Sequence, residues 1–210
     1  MKVRLVEGSR VLFQGDSITD ADRNPFDLGD LGSGYVAMVE ERFCERHPEG
    51  RVVFLNRGVS GDGVRDLRSR WQDDCLDLKP DVVSILVGIN DVFDGLFWNE
   101  SVSTESFETD YASILELTRR NLDAQLVLME PFLLPVSKEV LPVMDEVDSM
   151  SRVVGKLAGE FGAVLVPLGS IFKKAAKREA PEFYSLDGVH PTQAGHELIA
   201  QSWLNIVESM

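Results

Sequence analysis

His47, His190 and His196 are the only histidines in this sequence, and histidine is the side chain whose ordinary pKa places proton exchange near neutral pH. His190 stands in Asp187-Gly188-Val189-His190-Pro191, three residues after an acid. Across one turn that carboxylate can accept a hydrogen bond from Nδ1 of His190, which fixes the tautomer and leaves Nε2 free as a base. Such a base serves a hydroxyl nucleophile. The candidate is Ser17 in Gly15-Asp16-Ser17-Ile18-Thr19-Asp20, directly after a short apolar run. Ester hydrolysis also needs donors aimed at an oxyanion. Asn56-Arg57-Gly58-Val59-Ser60-Gly61-Asp62-Gly63 offers the Gly61 N–H, and Gly88-Ile89-Asn90-Asp91 offers the Asn90 side-chain amide. Nucleophile, base, orienter and oxyanion donors are together the set that acyl transfer requires. Each piece also has a plainer use. Ser17 or Asp16 can cap a helix, Asp187-Gly188 can be a turn with His190 at an N-cap, and glycines after strands commonly serve turns. His47, in a charged segment, reads as a solvated helix end, and His196, inside the last helix, as a structural histidine.

The elements that must hold these residues follow from the hydrophobic pattern. Val11–Gln14, Val52–Asn56, Val82–Val87, Gln125–Met129 and Ala163–Pro167 are nearly continuous apolar runs, as expected of parallel strands covered on both faces. Between them Tyr35–Glu45, Val64–Cys75, Phe107–Arg119 and Met144–Phe161 carry apolar residues at i, i+3, i+4 and i+7. A last helix is predicted to start at Pro191, since proline suits the first helical position. The pattern is α/β with five parallel strands. Asp91–Ser106 and Glu130–Val143 are long connections after strands, where ligands of open α/β sheets bind.

The chain has 210 residues, 21 basic against 35 acidic side chains, and a net charge of −14. That length buries roughly 70% of the unfolded surface, so folding needs no staple, and a single domain over 1–210 is expected. The negative balance argues against nucleic acid and anionic membranes as partners. Cys44 and Cys75 show no metal-ligand spacing and read as reduced thiols. No signal-peptide core is visible, and the longest uncharged apolar run, Val82–Ile89, is far below the ~20 residues of a spanning helix. The expected location is cytoplasmic. Gly32-Ser33-Gly34-Tyr35-Val36-Ala37 matches a dinucleotide fingerprint but lies well past the first strand, and the second strand ends in Asn56-Arg57 instead of an acid. No nucleotide cofactor is expected, and none of another kind. Asp16, Asp20, Asn90, Asp91 and His190 leave a metal-dependent phosphoesterase as a rival, weakened by the scarcity of histidine.

The ordered set Gly15-Asp16-Ser17-Ile18-Thr19, Gly61, Gly88-Ile89-Asn90-Asp91 and Asp187-Gly188-Val189-His190-Pro191 resembles the SGNH hydrolases, the GDSL esterase/lipase family. Within it, those segments with Gly32–Val36, Asn56–Leu67 and Val189–His196 look like the intracellular bacterial acetylxylan esterases. The resemblance implies a three-layer α/β/α, flavodoxin-like fold. It also implies Ser17 as nucleophile, His190 as base, Asp187 as orienter, and an oxyanion hole from Ser17 N–H, Gly61 N–H and Asn90. Many of those esterases are oligomers, so a homo-oligomer is an open expectation. Leu186 stands where close relatives in that group carry an aromatic. No metal ligand is assigned.

The function expected is therefore hydrolysis of short acyl esters, with deacetylation of xylo-oligosaccharides foremost. Other short-chain GDSL activities (arylesterase, thioesterase, lysophospholipase) and a non-catalytic sugar-binding module are the alternatives. No apolar tract offers a lipase lid. Asp16, Trp98 and Tyr184 are taken as substrate contacts, with Phe93 and Phe97 beside Trp98 as a sugar-stacking wall; core packing is the competing use of these aromatics.

Overall fold

The computed structural model describes residues 2–97 and 102–208. Along the chain run β1 (Val3–Arg4), β2 (Arg10–Gly15), α1 (Ser17–Asp20), α2 (Tyr35–Arg46), β3 (Val53–Gly58) and α3 (Val64–Ser69). Then come β4 (Val82–Leu86), α4 (Ile89–Phe97), α5 (Thr104–Asn121), β5 (Gln125–Met129), α6 (Met144–Glu160) and β6 (Val164–Val166). α7 (Leu168–Ala175), α8 (Pro181–Tyr184), α9 (Gln193–Leu204) and β7 (Val207–Glu208) complete it.

Five strands pair in parallel in the order β3-β2-β4-β5-β6. Every residue of β4 is buried, which its unbroken Val-Val-Ser-Ile-Leu composition requires of a strand covered on both faces. Successive residues of β2 show the two covers. Phe13 packs on Tyr35 of α2 and Trp203 of α9, while Gln14 turns the other way and donates to the Asp74 carbonyl beyond α3. Trp71, in that second cover, donates from its indole to Thr118 of α5. The result is the expected three-layer α/β/α architecture. β1 and β7 form a separate two-stranded parallel pair.

Several predicted boundaries shift for identifiable reasons. The helix expected over Val64–Cys75 breaks after Ser69 into a wider π turn, Gln72–Leu76. The Asp74 carbonyl takes the Gln14 amide there. The last helix begins at Gln193, not Pro191. Thr192 is its N-cap and accepts from Gly195 N–H at 3.3 Å, while Pro191 lies in an antiparallel bridge with Ser185. Much of the connection expected after Asn90 is helix α4. His47 is half-buried, its ring 4.7 Å from Phe43.

The chain order reverses at β2, with β3 on one side and β4 on the other. This is the switch point at whose carboxyl end α/β sheets open a crevice. α1 sits there, seated by Asn56 of β3. The buried Asn56 amide donates to Thr19 O (2.6 Å) and Leu31 O (2.9 Å) and accepts from Gly58 N–H (2.8 Å). Close approach also demands glycine. A Cβ on Gly15 would collide with the Leu86 carbonyl and the Thr19 hydroxyl, and one on Gly58 with the Asp20 N–H.

Asp16 is the N-cap of α1 and accepts from Ile18 N–H at 2.9 Å, with only 1% of its surface exposed. Burial pushes its carboxyl up to about 7, opposed by the Ile18 N–H and reinforced by Asp91. A carboxyl with a raised folded-state pKa stabilises fully below its unfolded value near 4 and loses that contribution as pH rises through about 7. Asp16→Asn keeps the cap acceptor without the charge. Its melting temperature is therefore expected to gain on the wild type by about 5 °C between pH 5 and pH 8, read by thermal denaturation at both. Asn56→Leu strands three buried backbone groups and is expected to cost about 3 kcal/mol or more in urea unfolding.

Candidate active site

Ser17 opens α1 directly after β2, so its hydroxyl stands at the carboxyl edge of the sheet. Its Oγ lies 3.0 Å from His190 Nε2, and His190 Nδ1 lies 2.7 Å from Asp187 Oδ2. The other oxygen, Asp187 Oδ1, accepts from Val189 N–H (2.9 Å), His190 N–H (2.8 Å) and Ser185 Oγ (3.1 Å). Burial alone would raise the Asp187 carboxyl. The hydrogen bonds from the His190 ring and the two backbone amides outweigh it and bring the pKa down to about 2. Asp187 is thus a fixed anion, with Nδ1–H of His190 directed at it and Nε2 directed at Ser17.

The acid/base loop is pinned at both ends. Gly188, at φ +89°, leaves no room for a Cβ, which would meet the Leu134 carbonyl at 2.6 Å, and its own carbonyl accepts from Leu134 N–H at 2.9 Å. The long connection after β5 thus backs the acid/base turn. Thr192 N–H closes the loop onto the Tyr184 carbonyl at 2.8 Å.

Gly61 and Asn90 line the same cleft as Ser17. Gly61 has φ +92°, a left-handed conformation natural to glycine. The Asn90 side-chain amide donates one hydrogen to the Asp62 carbonyl at 2.9 Å, which sets its plane and leaves the second N–H for another acceptor. Asp62 is in turn clamped by Arg70, whose Nε reaches its carboxylate at 2.8 Å while Nη1 reaches Gln14 Oε1 at 2.9 Å. Asp91 accepts from Val64 N–H through both oxygens at 3.1 Å, and its carboxylate would lie 3.0 Å from a Cβ on Gly63. Arg70 is a support that the sequence did not single out, and Asp91, expected within its motif and as a metal ligand of the rival reading, is a second. Their long-range partners leave no spacing signal.

These groups share one cleft of ≈690 Å³, lined among others by Ser17, Ser60, Gly61, Asn90, His190 and His196. Its volume falls within the range of small-molecule sites. Ser17, Gly61, Asn90 and His190 are thus brought together, with Asp187 directly behind His190. Three expectations are corrected. Asp16, taken as a substrate contact, is buried beneath the site as a helix cap. Tyr184, also taken as one, packs on Phe172 and Phe183 and lines a different cavity of ≈490 Å³ with Val166, Ile171 and Lys174. His196, taken as merely structural, lines the cleft. Phe93 is half-buried against the core, Trp98 lies outside the described residues, and Leu186 is an aliphatic side chain 77% exposed. Among the described residues no three His, Cys, Asp or Glu side chains gather to hold a metal ion, and no helix is long and apolar enough to cross a membrane.

The model of the GDSL-like lipase/acylhydrolase family matches residues 13–198. An acetylxylan esterase of Geobacillus stearothermophilus is 36% identical over 210 residues, covering 96% of this chain and 95% of its own. The crystal structure of that organism's acetylxylan esterase Axe2 superposes with a TM-score of 0.89 at 33% identity over 100% of both chains. Catalytic variants of Axe2, with alanine in place of a serine or a histidine, superpose equally well. A GDSL-like lipase structure from Parabacteroides merdae superposes with a TM-score of 0.92 at 35% identity over 98% of both chains. The relay of serine, histidine and aspartate at the switch point thus sits in a chain that belongs to the GDSL-like lipase/acylhydrolase family and is a carboxylic ester hydrolase.

Proposed function

We propose that this protein removes short acyl groups, acetyl foremost, from acetylated xylo-oligosaccharides through a Ser17 acyl-enzyme. The observation that carries the mechanism is the continuous relay Ser17 Oγ, His190 Nε2, His190 Nδ1, Asp187 Oδ2, at 3.0 and 2.7 Å, opening on the cleft. Ser17 Oγ attacks the ester carbonyl carbon as its proton passes to His190 Nε2, and ionised Asp187 stabilises the imidazolium. The carbonyl oxygen becomes an oxyanion, held by the Ser17 and Gly61 N–H groups and the free Asn90 N–H. Collapse breaks the bond to the alcohol oxygen, which leaves with the proton from His190. Water then attacks acyl-Ser17, giving its proton to His190, and the carboxylic acid departs as Ser17 recovers its hydrogen.

The polar lining supports a hydroxylated alcohol over a lipid chain. Asp22, Ser33, Ser60, Gln193 and His196 line the cleft beside the relay, with Ala21 and Pro191 among them. The Geobacillus relative named as an acetylxylan esterase supports the same class.

Acetate release from acetylated xylo-oligosaccharides and from p-nitrophenyl acetate, with and without EDTA, tests this reading. Ser17→Ala and His190→Ala are each expected to lower kcat by about 10⁴-fold or more in folded protein. EDTA is expected to change nothing. Wild-type turnover by Ser17→Ala sinks the mechanism, and turnover of p-nitrophenyl acetate alone discards the sugar. Asn90→Ala is expected to lower kcat by about 10²–10³-fold with a much smaller change in KM, measured by steady-state kinetics on either ester, because the oxyanion exists only in the transition state.

A further inference from the structure

The second histidine of the cleft has a fixed tautomer. α2 begins at Tyr35 after the N-cap Gly34, which has no side chain to cap it. The first free N–H of α2, that of Tyr35, donates instead to Nδ1 of His196 on α9 at 3.1 Å. An imidazole nitrogen that accepts carries no proton, so in neutral His196 the hydrogen resides on Nε2. The ring is seated by contact as well. It stacks over Tyr35 at 6.4 Å and 16°, and a Cβ on Gly34 would lie 2.8 Å from its Cε1 and 3.0 Å from its Nδ1. The Nδ1–Cε1 edge therefore faces α2, and the Cδ2–Nε2 edge faces away from it.

With Nδ1 held by α2, the Cδ2–Nε2 edge is the one His196 has left to present to a ligand. His196 is one of the residues lining the cleft. Among the described residues Nε2 has no hydrogen-bond partner, and it is not among their buried unpartnered polar atoms, where only the Tyr111 hydroxyl is found. Burial, with His190 beside it, brings the His196 pKa down to about 4, and the positive end of α2 favours the same neutral form. His196 is thus a neutral donor of fixed direction, where a protonated ring would compete with His190 for charge. The oxyanion donors Gly61 and Asn90 come from the segments after β3 and β4, whereas His196 shares the start of α9 with Gln193, next along the chain from His190. The leaving oxygen must lie beside His190 Nε2 to be protonated, so the alcohol side of the ester faces that helix start.

We propose that His196 is a specificity-determining residue whose Nε2–H donates a hydrogen bond to a hydroxyl or ether oxygen of the substrate's sugar, next to the ester being cleaved. The proposal rests on the sugar-ester reading of the site and adds that His196 selects for it over esters of simple alcohols and phenols. It also gives one side chain two tasks, since the Nδ1 that caps α2 is what directs the hydrogen of Nε2 into the cleft.

His196→Asn is the test variant, because Asn Oδ1 can take over the Tyr35 N–H while its Nδ2–H₂, at the place of the ring's Cδ2, stops short of the Nε2 position. The ratio of kcat/KM on acetylated xylotriose to kcat/KM on p-nitrophenyl acetate is expected to fall about tenfold, mainly through KM. A ratio unchanged from the wild type overturns the proposal, whether both activities fall together or neither does. Nitrogen NMR of the ring in intact Ser17→Ala protein does not depend on the variant folding. Nδ1 is expected unprotonated and Nε2 protonated from pH 6 to 8, with the Nε2–H resonance moving on addition of acetylated xylotriose. A protonated Nδ1, or an Nε2–H resonance that stays in place at saturating ligand, overturns it. Wild-type protein that cleaves p-nitrophenyl acetate but no acetylated sugar overturns the sugar reading itself, a result distinct from an unchanged ratio on two working substrates.

Discussion

The position of Ser17 depends on one buried amide. Asn56 reaches from β3 to the carbonyls of Thr19 and Leu31 and takes back the N–H of Gly58, so three segments distant in sequence share its hydrogen bonds. Buried polar groups that lose such partners are costly, which makes the arrangement all-or-none. The packing around it allows no slack, because Gly15 and Gly58 lie where any side chain would enter neighbouring backbone. A serine on so short a helix would otherwise wander. Here the sheet's own strand ends fix it within hydrogen-bonding distance of His190.

Two aspartates near Ser17 show how environment divides one chemistry into two roles. Asp187 collects hydrogen bonds from the His190 ring, two backbone amides and the Ser185 hydroxyl, and stays charged. Asp16, one residue before the serine, has lost its water and keeps its proton to near neutrality. The nearby arginines serve the scaffold. Arg23 holds the Gly58 carbonyl, Arg57 the Asn56 carbonyl, and Arg70 the Asp62 carboxylate. In the mechanism proposed, the donors left for a substrate are therefore neutral ones, backbone and side-chain amides with an imidazole N–H. That suits an uncharged, hydroxyl-bearing ester on a chain whose net charge is −14.

The supports of the site come from every layer. The loop after β5 carries the acid/base turn through Gly188 and Leu134, Arg70 at the end of α3 holds Asp62 in the loop of Gly61, and α4 holds the Val64 N–H that follows it through Asp91. α9 closes the arrangement by capping α2 with His196. Precision of this kind, with each reactive group held by a second set of contacts, is what keeps a catalytic geometry from loosening.

Local features were legible in the residues alone. Continuous apolar runs marked the five parallel strands because a strand covered on both faces has no polar side to display. Asp187 and His190 were legible because three residues span one turn, and Ser17, Gly61 and Asn90 because each lies within a few residues of a strand's end in a recognisable family pattern. Contacts between distant segments had no such mark. The burial of Asp16, the packing of Tyr184 in another cavity, the break after Ser69 for Gln14, and the start of α9 at Gln193 instead of Pro191 were decided by which surfaces meet. His196 shows the difference most plainly. Its place on a helix was written in the chain, but its proton and its direction came from Tyr35, 161 residues away, because a tautomer is set by the hydrogen bond made at the opposite nitrogen.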